Sequence, residues 1–204
     1  MANRAIAVAM TGASGAPYGL RLLECLLGSG RQVYLMVSAP AQVVIAMETD
    51  LKLPGQPQHM EHFLTELYRC APGQLRVFGR DQWTAPVASG SGAPEAMVIC
   101  PCTSAMLAAV ATGASRDLME RAADVMLKER RKLILVHREM PVSAIHLEHA
   151  LNLTRLGAII MPASPGFYHR PHSIEEVVDF VVARVLDHLD IEHQLVARWG
   201  LDHE

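Results

Sequence analysis

The chain has 204 residues, of which 50% are hydrophobic and only 5% aromatic, and its formal net charge is −3. This length predicts one domain with a substantial core, and the charge gives no basic surface typical of nucleic-acid binding. The four cysteines lack the spacing of a zinc site or a disulfide framework, so we expect reduced thiols in a cytoplasmic protein. The apolar stretch 96–114 contains Pro101 and predicts a buried strand followed by a helix, not a membrane span.

Short apolar runs alternate with amphipathic helical patterns along the chain. Strands are predicted at 4–10, 32–37, 96–100, 132–137 and 157–161. Helices are predicted at 16–28, 40–48, 58–70, 103–112, 117–130, 142–155 and 173–189. This order predicts an α/β fold with three layers and a doubly wound, mostly parallel sheet of the Rossmann or flavodoxin-like kind. Residues 1–189 are expected to form a single domain, with 190–204 as a C-terminal tail packed at a subunit interface.

The glycine-rich turn after the first strand is the first candidate binding site, because ligands of such folds bind beyond the carboxyl ends of the strands. Its glycines, Gly12, Gly15 and Gly19, do not match the G-x-G-x-x-G dinucleotide fingerprint. A nucleoside-triphosphate loop is also excluded, since no lysine follows. Ser38 follows the second strand, where a nicotinamide site would place an acidic residue to hold the ribose. The sequence therefore disfavours a nicotinamide dinucleotide.

A second hydroxyl-rich turn follows the third predicted strand. Thr103 and Ser104 begin the next helix, and hydroxyls and free amides at that point suit either a phosphate or simple helix capping. Two such strand ends in one sheet favour a phosphorylated ring cofactor. A mononucleotide such as FMN fits, because it needs only one phosphate site and one ring site.

Charged and aromatic residues near the later strand ends extend the candidate site. Arg138 and Glu139 follow the fourth strand, although a surface ion pair would also explain them, and Tyr168 lies in a proline-rich loop where it either contacts a ligand or packs. The Gly/Ser/Pro-rich segment 79–95 is a candidate lid or binding loop. The histidines of HLEH and HRPH lack the spacing of a zinc helix, so no metal is predicted. Cations at apolar helix positions suit a phosphate-bearing substrate: Arg121, Lys128 and Arg184.

Three stretches together resemble the flavin prenyltransferases of the UbiX type, formerly called phenylacrylic acid or 3-octaprenyl-4-hydroxybenzoate decarboxylases. They are MTGASGAPYGLRLLECL, ICPCTSAMLAAVATGASRDLMERAADVMLKERRKLILVHRE and PGFYHRPHSIEEVVDFVVARVLDHL. The resemblance implies a metal-independent enzyme that joins the dimethylallyl group of dimethylallyl monophosphate to N5 and C6 of reduced FMN. It also implies a dodecamer with sites shared between subunits, and a prenylated FMN that passes to a UbiD-type decarboxylase.

The resemblance further implies roles for individual residues, carried over position by position. FMN is expected to bind the two hydroxyl-rich turns and one arginine: Gly12, Ala13, Ser14, Ser38, Thr103, Ser104, Ala105, Met106 and Arg138. The prenyl phosphate is expected to bind Arg121, Lys128, Arg138, Tyr168 and Arg184. The prenyl group is expected near Trp83, Ala88, Ser89 and Gly90. Catalysis and proton handling are assigned to Ser14, Glu48, Glu139 and Tyr168.

The sequence departs from the family pattern in two places, and two other functions stay open. CTSAM stands where many relatives carry Ser-Thr-Gly-Thr, although Thr103 and Ser104 keep hydroxyl groups, and Asp117 replaces a frequent Asn. One alternative is a flavin-dependent cysteine decarboxylase of similar fold, whose P-x-S-A-N-T motif would place Asn at Ala105. The other is a non-catalytic flavin carrier that delivers its cofactor to a partner.

Overall fold

The computed structural model of the chain describes residues 5–197. Within that range, strands alternate with helices in the predicted order. The strands are β1 (Ile6–Met10), β2 (Val33–Val37), β3 (Leu75–Val77), β4 (Ala96–Cys102), β5 (Lys132–His137) and β6 (Ile159–Pro162). The helices are α1 (Ala16–Gly28), α2 (Ala39–Glu48), α3 (Pro57–Leu67), α4 (Ser104–Ala111), α5 (Leu118–Lys128), α6 (Ala144–Arg155) and α7 (Ile174–His188).

These strands form a parallel sheet in the order β3-β2-β1-β4-β5-β6. The chain moves outward from β1 toward one edge and later from β4 toward the other. The connections that leave β1 and β4 therefore diverge at the carboxyl ends of these neighbouring strands, which is where such folds bind ligands. The predicted doubly wound α/β fold is confirmed, and its topology points to the crevice between β1 and β4.

Alternate residues of the central strand β1 pack against different helix layers, because successive side chains of a strand point to opposite faces. The even-numbered residues from Ile6 to Met10 belong to a core shared with α1 and α7. Ala5, Ala7 and Ala9 belong to a second core shared with α4 and α5. Burial on both faces explains why the strand appears in the sequence as a continuous apolar run.

Two parts of the sequence prediction differ from the structure. The edge strand β3 was not predicted. It has only three residues, with the exposed Arg76 between two buried residues, and so short a stretch does not show a recognisable alternation of apolar and polar residues. The segment 79–95 is not an open loop. It forms two 3-10 turns, Pro86–Ala88 and Gly90–Gly92, and buries Ala85 and Val87 in the second core.

The predicted tail 190–204 is described as far as residue 197, and residues 198–204 lie outside the described range. Ile191 and Leu195 pack against the core that contains α1 and α7. The role of the tail at a subunit interface stays a prediction. Among residues 5–197, the helices are too short or too polar to cross a membrane.

Candidate active site

Two glycines shape the turn between β1 and α1. A side chain at Gly12 would put its Cβ 2.5 Å from Cβ of Pro40, so glycine lets this turn lie directly against the start of α2. Gly15, the residue just before α1, has a φ of 111°, a left-handed conformation that residues with a side chain rarely adopt. The glycines that the sequence offered as ligand contacts therefore have a packing and conformational reason of their own.

The N-terminus of α1 is occupied by a carboxylate of the chain itself. Oε2 of Glu48, the last residue of α2, accepts hydrogen bonds from the backbone N–H groups of Gly15 at 2.9 Å and Ala16 at 2.8 Å. Partial burial alone raises the pKa of Glu48, but hydrogen bonds from the Ser14 hydroxyl and these backbone groups, with the nearby Arg138, bring that pKa below its ordinary value. Glu48 thus takes the position at which a helix N-terminus would otherwise hold a phosphate.

The helices after β2 and β4 begin with hydroxyl caps of the same geometry. Ser38 Oγ accepts from the N–H of Ala41, and Thr103 Oγ1 accepts from the N–H of Met106, each at 3.1 Å. Both hydroxyls act as acceptors in these bonds, so each keeps its own hydrogen to donate to a ligand. Helix α2 has Pro40 in its first turn and so lacks one N–H group there, whereas α4 keeps the N–H groups of its first turn. The start of α4 is therefore the stronger anion-binding position.

A hydrogen-bonded cluster joins the start of α4 to the end of β5. Ser104 Oγ lies 2.7 Å from Oε2 of Glu139 and 3.0 Å from Nε2 of His137. The hydrogen bond from Ser104, followed by one from the N–H of Met140, lowers the pKa of Glu139. The predicted residues Ser104 and Glu139 are thus in direct contact, and Glu139 is an ionised acceptor at neutral pH.

Arg138 offers this crevice a buried hydrogen-bond donor that a ligand could use. Its Nε is buried and has no hydrogen-bond partner among the described residues. A buried guanidinium N–H without a partner is costly, and an acceptor such as a phosphate or a carbonyl oxygen would satisfy it. With the hydroxyls of Ser38 and Thr103 and the start of α4, Arg138 supplies a donor set that fits a mononucleotide.

The predicted substrate residues on α5 lie elsewhere, together with the segment 79–95. Arg121 Nε donates to the carbonyl of Ala88 at 3.0 Å. A Cβ added at Gly90 would lie 3.1 Å from Nζ of Lys128, which is paired with Glu129. In the same segment Trp83 is half-exposed and Ser89 Oγ lies 3.2 Å from Ser91 Oγ.

Lys128 lies near the amino-terminal end of β5, away from Arg138, and Arg184 lies near the end of α7. Lys128 is the last residue of α5, and a short connection leads from it to Lys132, the first residue of β5. Arg184 precedes His188 by one turn, and the carbonyl of His188 accepts a hydrogen bond from Lys132. The six residues of β5 span roughly 17 Å at about 3.3 Å per residue. Lys128 and Arg138 therefore lie at opposite ends of β5 in a single chain.

The sheet also separates the two cations from each other. Lys128 belongs to the α4 and α5 layer, and Arg184 to the layer of α1 and α7. Arg184 pairs with Asp187 at 2.5 Å and lines a cavity of about 240 Å³ beside β6. Tyr168 is 78% exposed in the loop after β6. The predicted site is thus divided into three surfaces of one chain: the crevice, the α5 surface and the β6–α7 surface.

Comparison with known proteins identifies the family. The Flavoprotein family model matches residues 1–186. The flavin prenyltransferase UbiX of Pseudomonas aeruginosa is 60% identical over 198 residues, which cover 97% of this chain and 95% of that protein. The chain belongs to the UbiX family of flavin prenyltransferases.

Solved structures of similar proteins agree with this family. AnUbiX (PadA1), in complex with FMN and dimethylallyl pyrophosphate, is 40% identical with a TM-score of 0.85, over 97% of this chain and 98% of that one. A dodecameric FMN-dependent UbiX-like decarboxylase from Escherichia coli O157:H7 is 38% identical with a TM-score of 0.83, over 96% of this chain and 99% of that one.

Two buried polar residues of this flavin prenyltransferase family member were missed in the sequence. Thr11 Oγ1 accepts from the N–H of Thr103 at 2.9 Å and donates to the carbonyl of Pro101 at 2.7 Å, which ties the turn after β1 to the turn after β4. His137 is the last residue of β5 and contacts Ser104. The available signal was a polar residue directly after an apolar strand for Thr11, and a polar residue at the end of a strand for His137.

Proposed function

We propose that this chain is a flavin prenyltransferase that joins the dimethylallyl group of dimethylallyl monophosphate to reduced FMN and forms prenylated FMN. The observation that carries this proposal is the crevice between β1 and β4. In this crevice the Nε of Arg138 has no partner, and the hydroxyls of Ser38 and Thr103 can each donate a hydrogen bond. The chain is also 60% identical to a flavin prenyltransferase.

The crevice residues would bind FMN and exclude water from it. The N–H groups at the start of α4 and the hydroxyls of Ser38 and Thr103 would hold the phosphate, since donors at a helix N-terminus favour an anion. Arg138 would donate its buried Nε–H to an oxygen of the cofactor. FMN, when bound and reduced, supplies nucleophilic positions N5 and C6, to which the allyl group becomes attached.

The two carboxylates would handle the protons of ring closure. A second bond to the ring requires a proton to be added to the allyl group and another to be removed from C6. Glu48 and Glu139 are both held ionised by hydrogen bonds, with Ser14 on Glu48 and Ser104 on Glu139. Each carboxylate is therefore able to accept the proton that leaves C6, and its partner hydroxyl fixes its orientation. The proton added to the allyl group would come from the released phosphate.

Cations would stabilise the phosphate as it leaves. The allyl cation is delocalised, so the barrier depends strongly on the negative charge that grows on the phosphate. Arg121, Lys128 and Arg184 are cationic side chains, and they would act on a monophosphate without a metal ion. Tyr168 would add a hydroxyl donor.

These groups reach one phosphate only if several copies of the chain assemble. Lys128 and Arg184 lie on opposite faces of the sheet, and Lys128 lies at the end of β5 opposite Arg138. We infer a homo-oligomer, of the dodecameric kind seen in the relative from Escherichia coli, in which the α5 and β6–α7 surfaces of neighbouring chains border each crevice.

Anaerobic turnover tests the activity. The purified protein, reduced FMN and dimethylallyl monophosphate are mixed, and the extracted flavin is analysed by mass spectrometry. We expect the mass of prenylated FMN, with the diphosphate as a parallel substrate for comparison. Bound FMN without any product would support a carrier, and carbon dioxide released from a peptidyl cysteine would support the decarboxylase alternative.

Mixed assemblies test whether sites are shared. Arg138→Ala and Arg184→Ala chains are each expected to be inactive alone. Co-expressed in equal amounts, they should regain activity at about a quarter of the sites, because some sites then receive both intact arginines from different chains. Failure to regain activity in assemblies proven to be mixed would contradict a shared site.

The product would serve a second enzyme. We propose that prenylated FMN passes to a UbiD-type decarboxylase. A protein-free filtrate of the reaction should activate such a decarboxylase prepared without cofactor, whereas a filtrate made without the prenyl phosphate should not.

A further inference from the structure

His137 is a buried residue next to the proposed proton-handling group, and the function proposed above gives it no role. It ends β5 and is 8% exposed. Its Nε2 lies 3.0 Å from Ser104 Oγ, which in turn lies 2.7 Å from Oε2 of Glu139. The three side chains form a linear chain of hydrogen bonds that ends at the carboxylate.

Counting hydrogens fixes the direction of both bonds. An ionised carboxylate only accepts hydrogen bonds, and a serine hydroxyl has a single hydrogen to donate. The hydrogen of Ser104 is therefore directed to Glu139. The contact between Ser104 and His137 then requires a hydrogen on Nε2 of the imidazole.

We propose that His137 is a positioning residue which, as the neutral Nε2–H tautomer, donates to Ser104 and thereby directs the Ser104 hydroxyl to Glu139. The carboxylate is held in one orientation at the crevice. The proposal rests on the proposed function, because it assigns His137 a part in positioning the carboxylate that handles protons. It also changes the expectation for Ser104: its hydrogen is already used, so Ser38 and Thr103 are the hydroxyl donors left for FMN.

The surroundings of His137 favour its neutral form. Burial, followed by the neighbouring His146 of α6 and Arg138, lowers the pKa of His137, while Glu139 opposes this shift. The ring of His146 lies edge-on at 6.1 Å. From α4 the ring meets the hydroxyl of Ser104. On the flanking strands Cys102 of β4 and Pro162 of β6 lie opposite His137, and neither is charged at neutral pH.

A tautomer measurement tests the geometry without any turnover. Protein that carries ¹⁵N-labelled histidine and no FMN is studied by solid-state NMR at pH 7.5, and the His137 signals are assigned by their loss in His137→Gln. We expect protonated Nε2 and unprotonated Nδ1. In Ser104→Ala the bond acceptor is gone, and the Nδ1–H form should become populated. An Nδ1–H or doubly protonated His137 in the parent protein would overturn the proposal.

Kinetics test the positioning role. The His137→Leu variant removes the donor, whereas the His137→Gln variant offers an amide N–H in its place. We expect kcat for prenylated FMN formation to fall about three- to tenfold in His137→Leu, as for the loss of one hydrogen bond, and to recover largely in His137→Gln. The affinity for FMN, followed by flavin fluorescence, should stay within about twofold in both.

The outcomes separate this proposal from the function. If Gln is no better than Leu, or if both variants match the parent, His137 has no positioning role. If the parent protein itself forms no prenylated FMN, the proposed function fails, but the tautomer measurement still decides the hydrogen-bond chain.

Discussion

Replacement of Glu48 should loosen the start of α1, although Glu48 lies 32 residues further along the chain than Ala16. The carboxylate accepts two backbone hydrogen bonds there, at 2.9 and 2.8 Å. Loss of a helix cap costs about 0.5–2 kcal/mol, and an anion at this helix end adds about 0.3–1 kcal/mol. Because the side chain is largely exposed, we expect a total of about 1–2 kcal/mol for Glu48→Ala. Glu48→Gln keeps one acceptor oxygen and should lose about half of that.

Hydrogen exchange read by mass spectrometry is the assay, because it reports locally and does not require the assembly to unfold reversibly. A change of 1–2 kcal/mol corresponds to about 5- to 30-fold faster exchange in a peptide covering residues 12–20. Glu66→Gln is the matched control. Glu66 also lies in the last turn of a helix, but its carboxylate pairs with the exposed His62 at 3.4 Å. Unchanged exchange in Glu48→Ala, or equal acceleration in both variants, would refute the capping role.

The same contact predicts a pH dependence with a defined sign. The pKa of Glu48 in the folded chain is lower than its ordinary value of 4.5. Its stabilisation is therefore complete above about pH 4.5 and is lost as the pH falls through the folded-state pKa. The exchange difference between the parent and Glu48→Gln, corrected for intrinsic rates, should be constant from pH 5 to 8 and shrink at lower pH. A difference that grows on acidification would contradict the assignment.

Three further predictions concern ligand binding and turnover. Prenyl transfer should be unaffected by excess EDTA but collapse in Lys128→Ala or Arg184→Ala, and chelator inhibition rescued by magnesium would overturn the metal-free mechanism. Tyr168→Phe should bind FMN like the parent but form prenylated FMN more slowly, and an unchanged rate would remove Tyr168 from the site. Ser38→Ala and Thr103→Ala should each weaken FMN binding in a fluorescence titration by about 1 kcal/mol, since each loses a hydroxyl donor. If both variants bind FMN as tightly as the parent, the phosphate does not bind at Ser38 and Thr103.

The fold could be predicted because its determinants are local. Both faces of β1 and β5 are buried, which produces continuous apolar runs, and the last helix carries a recognisable cap, Ser173. The strand β3 could not be predicted in this way. It is a short edge strand whose pairing with β2 depends on residues far away in the chain.

The site could be predicted only in part, for the same physical reason. The hydroxyl caps Ser38 and Thr103 follow directly from their positions at helix starts. The capture of the α1 N-terminus by Glu48 depends on how α2 folds back, and no spacing in the sequence reveals it. The sequence assigned FMN to Gly12, Ala13 and Ser14 of the glycine-rich turn. In the structure the amides of the next two residues, Gly15 and Ala16, are bonded to Glu48.

The separation of the predicted phosphate ligands also bears on how the assembly would be stabilised. The surface around α6 exposes large apolar side chains, with Met140 86%, Ile145 62%, Leu147 58% and Leu151 50% accessible. An apolar surface of this kind is characteristic of contacts between proteins. If neighbouring chains bring Lys128 and Arg184 to each crevice, the same association would be expected to remove such surface from water. Substrate binding and assembly would then be coupled, and a variant that weakens the assembly would lose activity with every contact of the crevice intact.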